Sequence, residues 1–164
     1  MYAYSFANIV VTINGTPISG FGAGDDVITI EPSTAAATTQ VGADGHMVAS
    51  ISANQGGTAT LHLQQTSPSN YTLQELYNLQ ISQSAQFQPI QMSVQDAMGN
   101  DACTCIGGII TDMATWQRGA NAVDTEWTVQ FEVVRITRGT QNELSFMAAA
   151  GFAMPGIPVP GLGL

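Results

Sequence analysis

Trp127-Thr128-Val129-Gln130-Phe131-Glu132-Val133 is the most regular stretch of the chain. Large apolar side chains stand at every second position, with Thr128, Gln130 and Glu132 between them. Successive side chains of an extended strand point to opposite faces, so this period of two predicts a strand with one core face and one wet face. The same alternation recurs upstream. Ile90, Met92 and Val94 alternate with Gln91, Ser93 and Gln95, and the turn Met98-Gly99-Asn100-Asp101 leads into a strand over Ala102 to Thr111. Ala59, Leu61 and Leu63 alternate with Thr58, Thr60, His62 and Gln64. Near the start, Ala7, Ile9, Val11 and Ile13 oppose Asn8, Val10 and Thr12, and Asn14-Gly15 is the strongest short hairpin signal, returning the chain over Thr16 to Phe21.

The intervening segments are less regular. Gly20 to Asp26 is a glycine-rich loop, and Val27 to Glu31 reads as a strand stopped by Pro32. Ser33 to Asp44 is small, polar and aperiodic, which predicts a long surface loop ending in the turn Gly42-Ala43-Asp44-Gly45. Met47 to Ile51 is expected to pair with Thr58 to Gln65 as a hairpin around Asn54-Gln55-Gly56-Gly57. One helix follows, capped by Ser67 or Ser69, with Pro68 in its first turn and Leu73, Leu76 and Tyr77 as its apolar stripe; it fades near Ser82 to Ser84. Seven or eight strands to one helix define a mainly β class: an antiparallel β-sandwich or barrel with one flanking α-helix. The 164 residues suit one domain, residues 1–143, followed by an apolar Gly/Pro-rich arm, residues 144–164.

Composition narrows the function. Only 9% of residues are Asp, Glu, Lys or Arg, against about 25% in an ordinary soluble domain. There is no lysine, and Arg118, Arg135 and Arg138 are the only formal cations. A chain so short of solubilising charge is expected to be covered by copies of itself in its working state. Twelve acids against three arginines leave a net charge of −9, which excludes tight nucleic-acid binding by counterion release and an anionic-membrane patch. Weak repulsion still suits a channel through which DNA slides. The uncharged stretch after Glu143 is long enough to span a bilayer, but Gly151, Gly156, Gly161 and Gly163 with Pro155, Pro158 and Pro160 argue for an extended arm packing on a neighbouring subunit. No secretory signal is read at the N-terminus.

No catalytic or cofactor set emerges. His46 and His62 are placed near no particular serine or cysteine, and the Cys-x-Cys pair, Cys103 and Cys105, matches no zinc-finger spacing with them. The two thiols point the same way from an extended strand and are expected to stay free. Gly20-Phe21-Gly22-Ala23-Gly24 resembles a phosphate-cradling loop, yet Asp25-Asp26 and a strand follow where a helix N-terminus is needed. Asp96, Asn100 and Asp101 lack calcium-loop spacing. The expectation is a protein with no catalytic site and no cofactor.

Tyr4-Ser5-Phe6, Val41-Gly42-Ala43-Asp44-Gly45, Thr66-Ser67-Pro68 ahead of a short helix, and Asp124-Thr125-Glu126-Trp127-Thr128 occur in an order and spacing that resemble tail tube proteins of contractile-tailed bacteriophages. The resemblance runs from residue 4 to about 135; His46 stands where the family pattern suggests an acid, and the apolar tail is longer than usual. It implies homohexameric rings that stack into a hollow conduit for DNA inside a contractile sheath. Implied partners are the sheath, tape-measure, baseplate and tail-terminator proteins. The implied location is the virion tail, assembled in the bacterial cytoplasm. A loop between early strands reaches the adjacent ring in such proteins, and Thr34, Thr38, Thr39, Gln40, Val41, Asp44 and His46 are its candidates here. Thr58, Thr60, His62, Gln64, Gln91, Ser93 and Gln95 are candidates for the lumen face, with the wet face of an ordinary sheet as the other reading. The alternatives are a tube protein of a type VI or extracellular contractile injection system, and a β-sandwich carbohydrate-binding module. The module requires exposed aromatics on one sheet, which Trp116 and Trp127 do not obviously supply.

Overall fold

The computed structural model describes residues 4–139. The arm expected over 144–164 lies outside the described residues. After a single 3-10 turn at Phe6–Asn8, nine strands and one helix follow: β1 Ile9–Ile13, β2 Thr16–Pro17, β3 Ile28–Pro32, β4 Ala37–Val41, β5 Met47–Ile51, β6 Gly57–Leu63, α1 Ser69–Ser82, β7 Ile90–Asp96, β8 Asp101–Asp112 and β9 Thr125–Thr137. Among the described residues, seven strands form one antiparallel sheet in the order β2-β1-β7-β8-β9-β6-β3, while β4 and β5 pair with each other alone. The class read from the alternation is the one observed: mainly β and antiparallel, with one helix.

One face of the sheet carries the core. Trp127, Val129 and Phe131 of β9 lie beside Ala59, Leu61 and Leu63 of β6, Ile90 and Met92 of β7, Val11 and Ile13 of β1, and Cys105 and Ile110 of β8. Each large apolar side chain so buried contributes about 1.5–3 kcal/mol before the entropy of ordering is counted. The helix packs on this face through Leu73, Leu76 and Tyr77. The Gln80 amide clips it to the sheet edge-on, donating to the Ile110 carbonyl and accepting from the Ile110 N–H, both at 3.0 Å. Pro68 occupies the N-cap and makes no side-chain cap bond. The serines expected to cap instead tie the helix to the β2–β3 connection: the Ser67 hydroxyl donates to the Ser19 carbonyl, and Ser69 Oγ accepts from the Ser19 N–H at 3.0 Å.

The long strands β8 and β9 bend together. Cys103 and Cys105 face the core, but the next inward residues of β8 are Gly108 and Ile110; opposite them Phe131 is followed inward by Val134. Gly107, at φ +71°, takes the left-handed conformation that makes the step between these halves without strain. The sheet coils far enough for Ile9 of β1 and Ile28 and Ile30 of β3, near opposite ends of the strand order, to line one groove.

Three further expectations are overturned. The segment 33–44 is not all loop, because Ala37–Val41 forms β4. The strand Met47–Ile51 does not pair with β6; it pairs with β4, around the Gly42–Gly45 turn, in which Gly45 adopts φ +85°. The physical reason is burial. β6 alternates buried and half-buried residues and is sandwiched between β3 and β9, leaving no edge for β5, whose five residues are all exposed. The return strand after Asn14-Gly15 is also shorter than expected, Thr16–Pro17: the Ile18 N–H still donates to the Val11 carbonyl at 2.8 Å, but Ser19 is already engaged by Ser67 and Ser69 at the start of the helix.

Candidate functional site

Thr58, Thr60, His62 and Gln64 and, separately, Gln91, Ser93 and Gln95 come from segments far apart in sequence. The fold puts Thr58, Thr60 and His62 of β6 and Gln91, Ser93 and Gln95 of β7 on the non-core face of one sheet, because their neighbours Ala59, Leu61, Leu63, Ile90 and Met92 fill the core; Gln64 is exposed one residue beyond the end of β6. Register then joins them into rows. Thr29, Thr60 and Thr128 lie side by side across β3, β6 and β9; Glu31, Thr58, Gln130 and Ile109 make the next row. Thr12, Ser93, Thr104 and Arg135 form a row across β1, β7, β8 and β9, and His62 stands opposite Glu126. Hydroxyls and amides dominate this surface, with Glu31, Glu126 and Glu132 against Arg135 and the exposed Val10, Ile106 and Ile109 between them. The β9 contributions were legible in the 127–133 alternation, but only the register shows them filling the gap between the two candidate sets.

The hairpin β4–β5 is a second surface. Val41 pairs with Met47, Thr39 with Ala49 and Ala37 with Ile51 on one side of the ribbon; Gln40 with Val48 and Thr38 with Ser50 occupy the other. All ten residues are exposed, with Val41 at 64%, Met47 at 66% and Ile51 at 85%. An isolated two-stranded hairpin is marginally stable in water, so a ribbon with one uncovered apolar side is suited to a partner. Thr38, Thr39, Gln40 and Val41 lie on β4. Asp44 and His46 lie in the turn, where Asp44 Oδ1 accepts the His46 N–H at 3.2 Å, and Thr34 lies in the exposed approach to β4.

A third feature was not read from the sequence. Between β3 and the ends of β1, β7, β8 and β9 runs an open groove of about 590 Å³, floored by Phe6, Ile9, Ile28, Ile30, Val94 and Cys103. Asp25, Asp96, Asp101 and Arg138 stand among its lining residues. Cys103 and Cys105 are free thiols with their Sγ atoms 3.6 Å apart. The hydrogen bond to Cys105 holds the Cys103 pKa below the ordinary thiol value, with burial opposing it; the same bond, then burial and the charge on Cys103, push Cys105 up.

The remaining candidate features have structural partners. Asp96 Oδ1 accepts the N–H groups of Met98 and Gly99 and so closes the β7–β8 turn, in which Asn100 adopts φ +56°. The glycine-rich segment is tied to β6, with the Gly22 N–H donating to the His62 carbonyl and Phe21 bridging Leu63. Trp127 is buried, its Nε1–H donating to Asn70 Oδ1 at 3.0 Å, whereas Trp116 is exposed on a loop with Arg118 stacked 4.9 Å from its ring centre. The two tryptophans therefore share no sugar-binding platform.

The fold is similar to that of chains in assemblies of contractile injection systems. A chain of an extracellular contractile injection system sheath–tube complex in the extended state superposes with a TM-score of 0.56 at 14% identity, covering 84% of this chain and 93% of that one. The tube-terminating cap of the anti-feeding prophage gives 0.53 at 14% identity, with 85% and 93% covered. A sheath/tube terminator of the extracellular system gives 0.53 at 14%, with 84% and 98% covered. No curated relative matches the sequence. The fold is thus that of contractile-tube building blocks. The family model described as Bacteriophage PhiTE tail tube protein matches residues 1–139, and the chain belongs to that family: it is a structural tail tube protein.

Proposed function

We propose that copies of the chain close into homohexameric rings and that the rings stack into a hollow tube through which DNA passes without being held. The observation that carries this reading is the gathering of Thr58, Thr60, His62, Gln91, Ser93 and Gln95 onto one sheet face, with Gln64 exposed at the end of β6. Turned to a bore, such a face offers hydrogen bonds that keep DNA hydrated, while a chain with a net charge of −9 and no lysine supplies little to grip phosphate. The hairpin β4–β5, with Thr34, Asp44 and His46 at its approach and turn, engages the adjacent ring. The domain 1–143 builds the wall, and the protein acts by assembly and conduction, not turnover. Its partners are the sheath, tape-measure, baseplate and tail-terminator proteins; the sheath–tube and terminator assemblies among its structural relatives support the first and last of these. The tube is a virion component assembled in the host cytoplasm.

Negative-stain electron microscopy across a concentration series tests the reading: six-fold rings and hollow tubes are expected, and a dispersed monomer at high concentration refutes it. Deletion of Thr34 to Thr39 removes Ala37, Thr38 and Thr39 of β4 and with them the hairpin ladder. The variant is expected to keep the main sheet yet fail to extend tubes; long tubes from it overturn the hairpin's role.

A further inference from the structure

Cys103 and Cys105 form a pair that assembly into a tube leaves unused. Both thiols are free, both leave β8 on its core side, and their Sγ atoms stand 3.6 Å apart. The ladders fix them from both sides: Cys103 lies between Val94 of β7 and Ile136 of β9, and Cys105 between Met92 and Val134. That frame disfavours a direct S–S bond. Residues two apart on a strand have Cα atoms about 6.6 Å apart, near the upper limit for a disulfide, and β8 cannot contract without breaking two ladders. The strand thus presents two parallel thiols, a bidentate soft donor.

The separation selects what this donor can chelate. An atom bonded to both sulfurs at about 2.3 Å would span 3.6 Å with an S–X–S angle of about 100°. A linear two-coordinate ion such as Hg²⁺ needs its sulfurs about 4.6 Å apart at that bond length. Tetrahedral zinc suits the angle but takes four ligands, and among the described residues no third His, Cys, Asp or Glu joins the pair. Trivalent arsenic bearing one organic group needs two thiolates at a pyramidal angle and no more, because its third bond is to its own carbon. The surroundings also suit that group. Cys103 lines the groove of about 590 Å³, where Phe6, Ile9, Ile28, Ile30 and Val94 offer an apolar bed for an aryl ring. Cys105, fully buried, is reached through Cys103.

We propose that Cys103 and Cys105 are a chelating site for monosubstituted trivalent arsenicals, with the organic group seated in the groove beside β3. The reaction involves no redox change. An arylarsonous acid, ArAs(OH)₂, gains two As–S bonds and loses two As–O bonds, each hydroxide leaving with one thiol proton as water. Cys103, at the groove wall, forms the first bond, and the second closes within the same molecule at high effective concentration. The site is independent of ring and tube formation.

Phenylarsine oxide, added in equal amount to the reduced full chain with excess 2-mercaptoethanol as a monothiol competitor, tests the site. Intact-mass spectrometry should show one phenylarsenic group per chain, and both cysteines should resist N-ethylmaleimide. The melting temperature should rise, because the ligand binds the folded chain. Cys103→Ala and Cys105→Ala should each weaken retention by about 100-fold or more, the gain expected from joining two bonds in one chelate. Cys105→Ala alters the core, so Cys103→Ala alone decides the outcome should the former not fold. Ile30→Asp should weaken binding of phenylarsine oxide more than that of methylarsonous acid, which has no ring to seat; equal weakening overturns the placement of the organic group. Loss of the adduct to the monothiol, or equal retention by Cys103→Ala, overturns the proposal. A lowered melting temperature also overturns it, because chelation then belongs to the unfolded chain.

Discussion

Val41→Ser combined with Met47→Ser removes the directly paired apolar residues nearest the hairpin turn. Each is about two-thirds exposed within the chain, 64% and 66%. Complete burial of such a side chain is worth about 1.5–3 kcal/mol, so covering the exposed two-thirds gives about 1–2 kcal/mol each and about 2–4 kcal/mol for the pair. With each 1.4 kcal/mol worth about tenfold, the critical concentration for tube extension should rise between roughly 30-fold and several hundred-fold. The fold should be unaffected, within about 0.5 kcal/mol, because neither side chain belongs to the core. Sedimentation of tubes across a concentration series measures the effect, and thermal unfolding of the dilute protein provides the control. Ser50→Ala, on the opposite side of the ribbon, should shift the critical concentration far less. An unchanged critical concentration in the double variant, with an unchanged melting temperature, refutes the assignment of the hairpin to ring stacking.

Trp127→Ala acts on the core instead. It empties a site only 2% exposed and leaves Asn70 Oδ1 with one partner fewer, which should cost about 3–5 kcal/mol and appear as a lowered denaturant midpoint. The thiol pair should alkylate in order, Cys103 before Cys105, and peptide mapping of N-ethylmaleimide adducts reads this directly; adducts at Cys105 first would contradict the assigned directions. For stability the two thiols act in opposite senses, the lowered Cys103 favouring the fold as pH rises toward the unfolded thiol value and Cys105 disfavouring it above that value. The folded Cys105 pKa is raised, so its contribution is complete below the unfolded thiol value, taken as 9.0, and declines as pH rises above it. Chemical denaturation at pH 9 and pH 10, above the range in which Cys103 opposes it, should show the Cys105 loss, and the double variant Cys103→Ala/Cys105→Ala should abolish it.

The alternation in 127–133, 90–95, 58–64 and 7–13 was sufficient for class, core and wet face, because in a strand the direction of a side chain depends only on parity. The Asn14-Gly15 and Met98–Asp101 turns were equally local, carried by residues that accept positive φ; Asn14 and Gly15 adopt +50° and +81°. Partner choice is not local. Nothing within Met47–Ile51 says whether it pairs forward with β6 or back with β4, since both are adjacent in sequence and joined by turn-forming residues. The answer lies in the fact that β3 and β9 already occupy both edges of β6, a condition set by residues 28–32 and 125–131 together.

The candidate surfaces divide in the same way. Which residues face away from the core was readable one strand at a time from the sequence. That those of β6 and β7 share one sheet, with β8 and β9 between them, required the strand order, and the groove beside β3 required the coiling of the sheet at Gly107. Periodicity is a property of neighbouring residues, so the chain alone determines it. Adjacency of strands is settled by competition among all the edges for the same hydrogen bonds and the same core, and only the folded molecule resolves that competition.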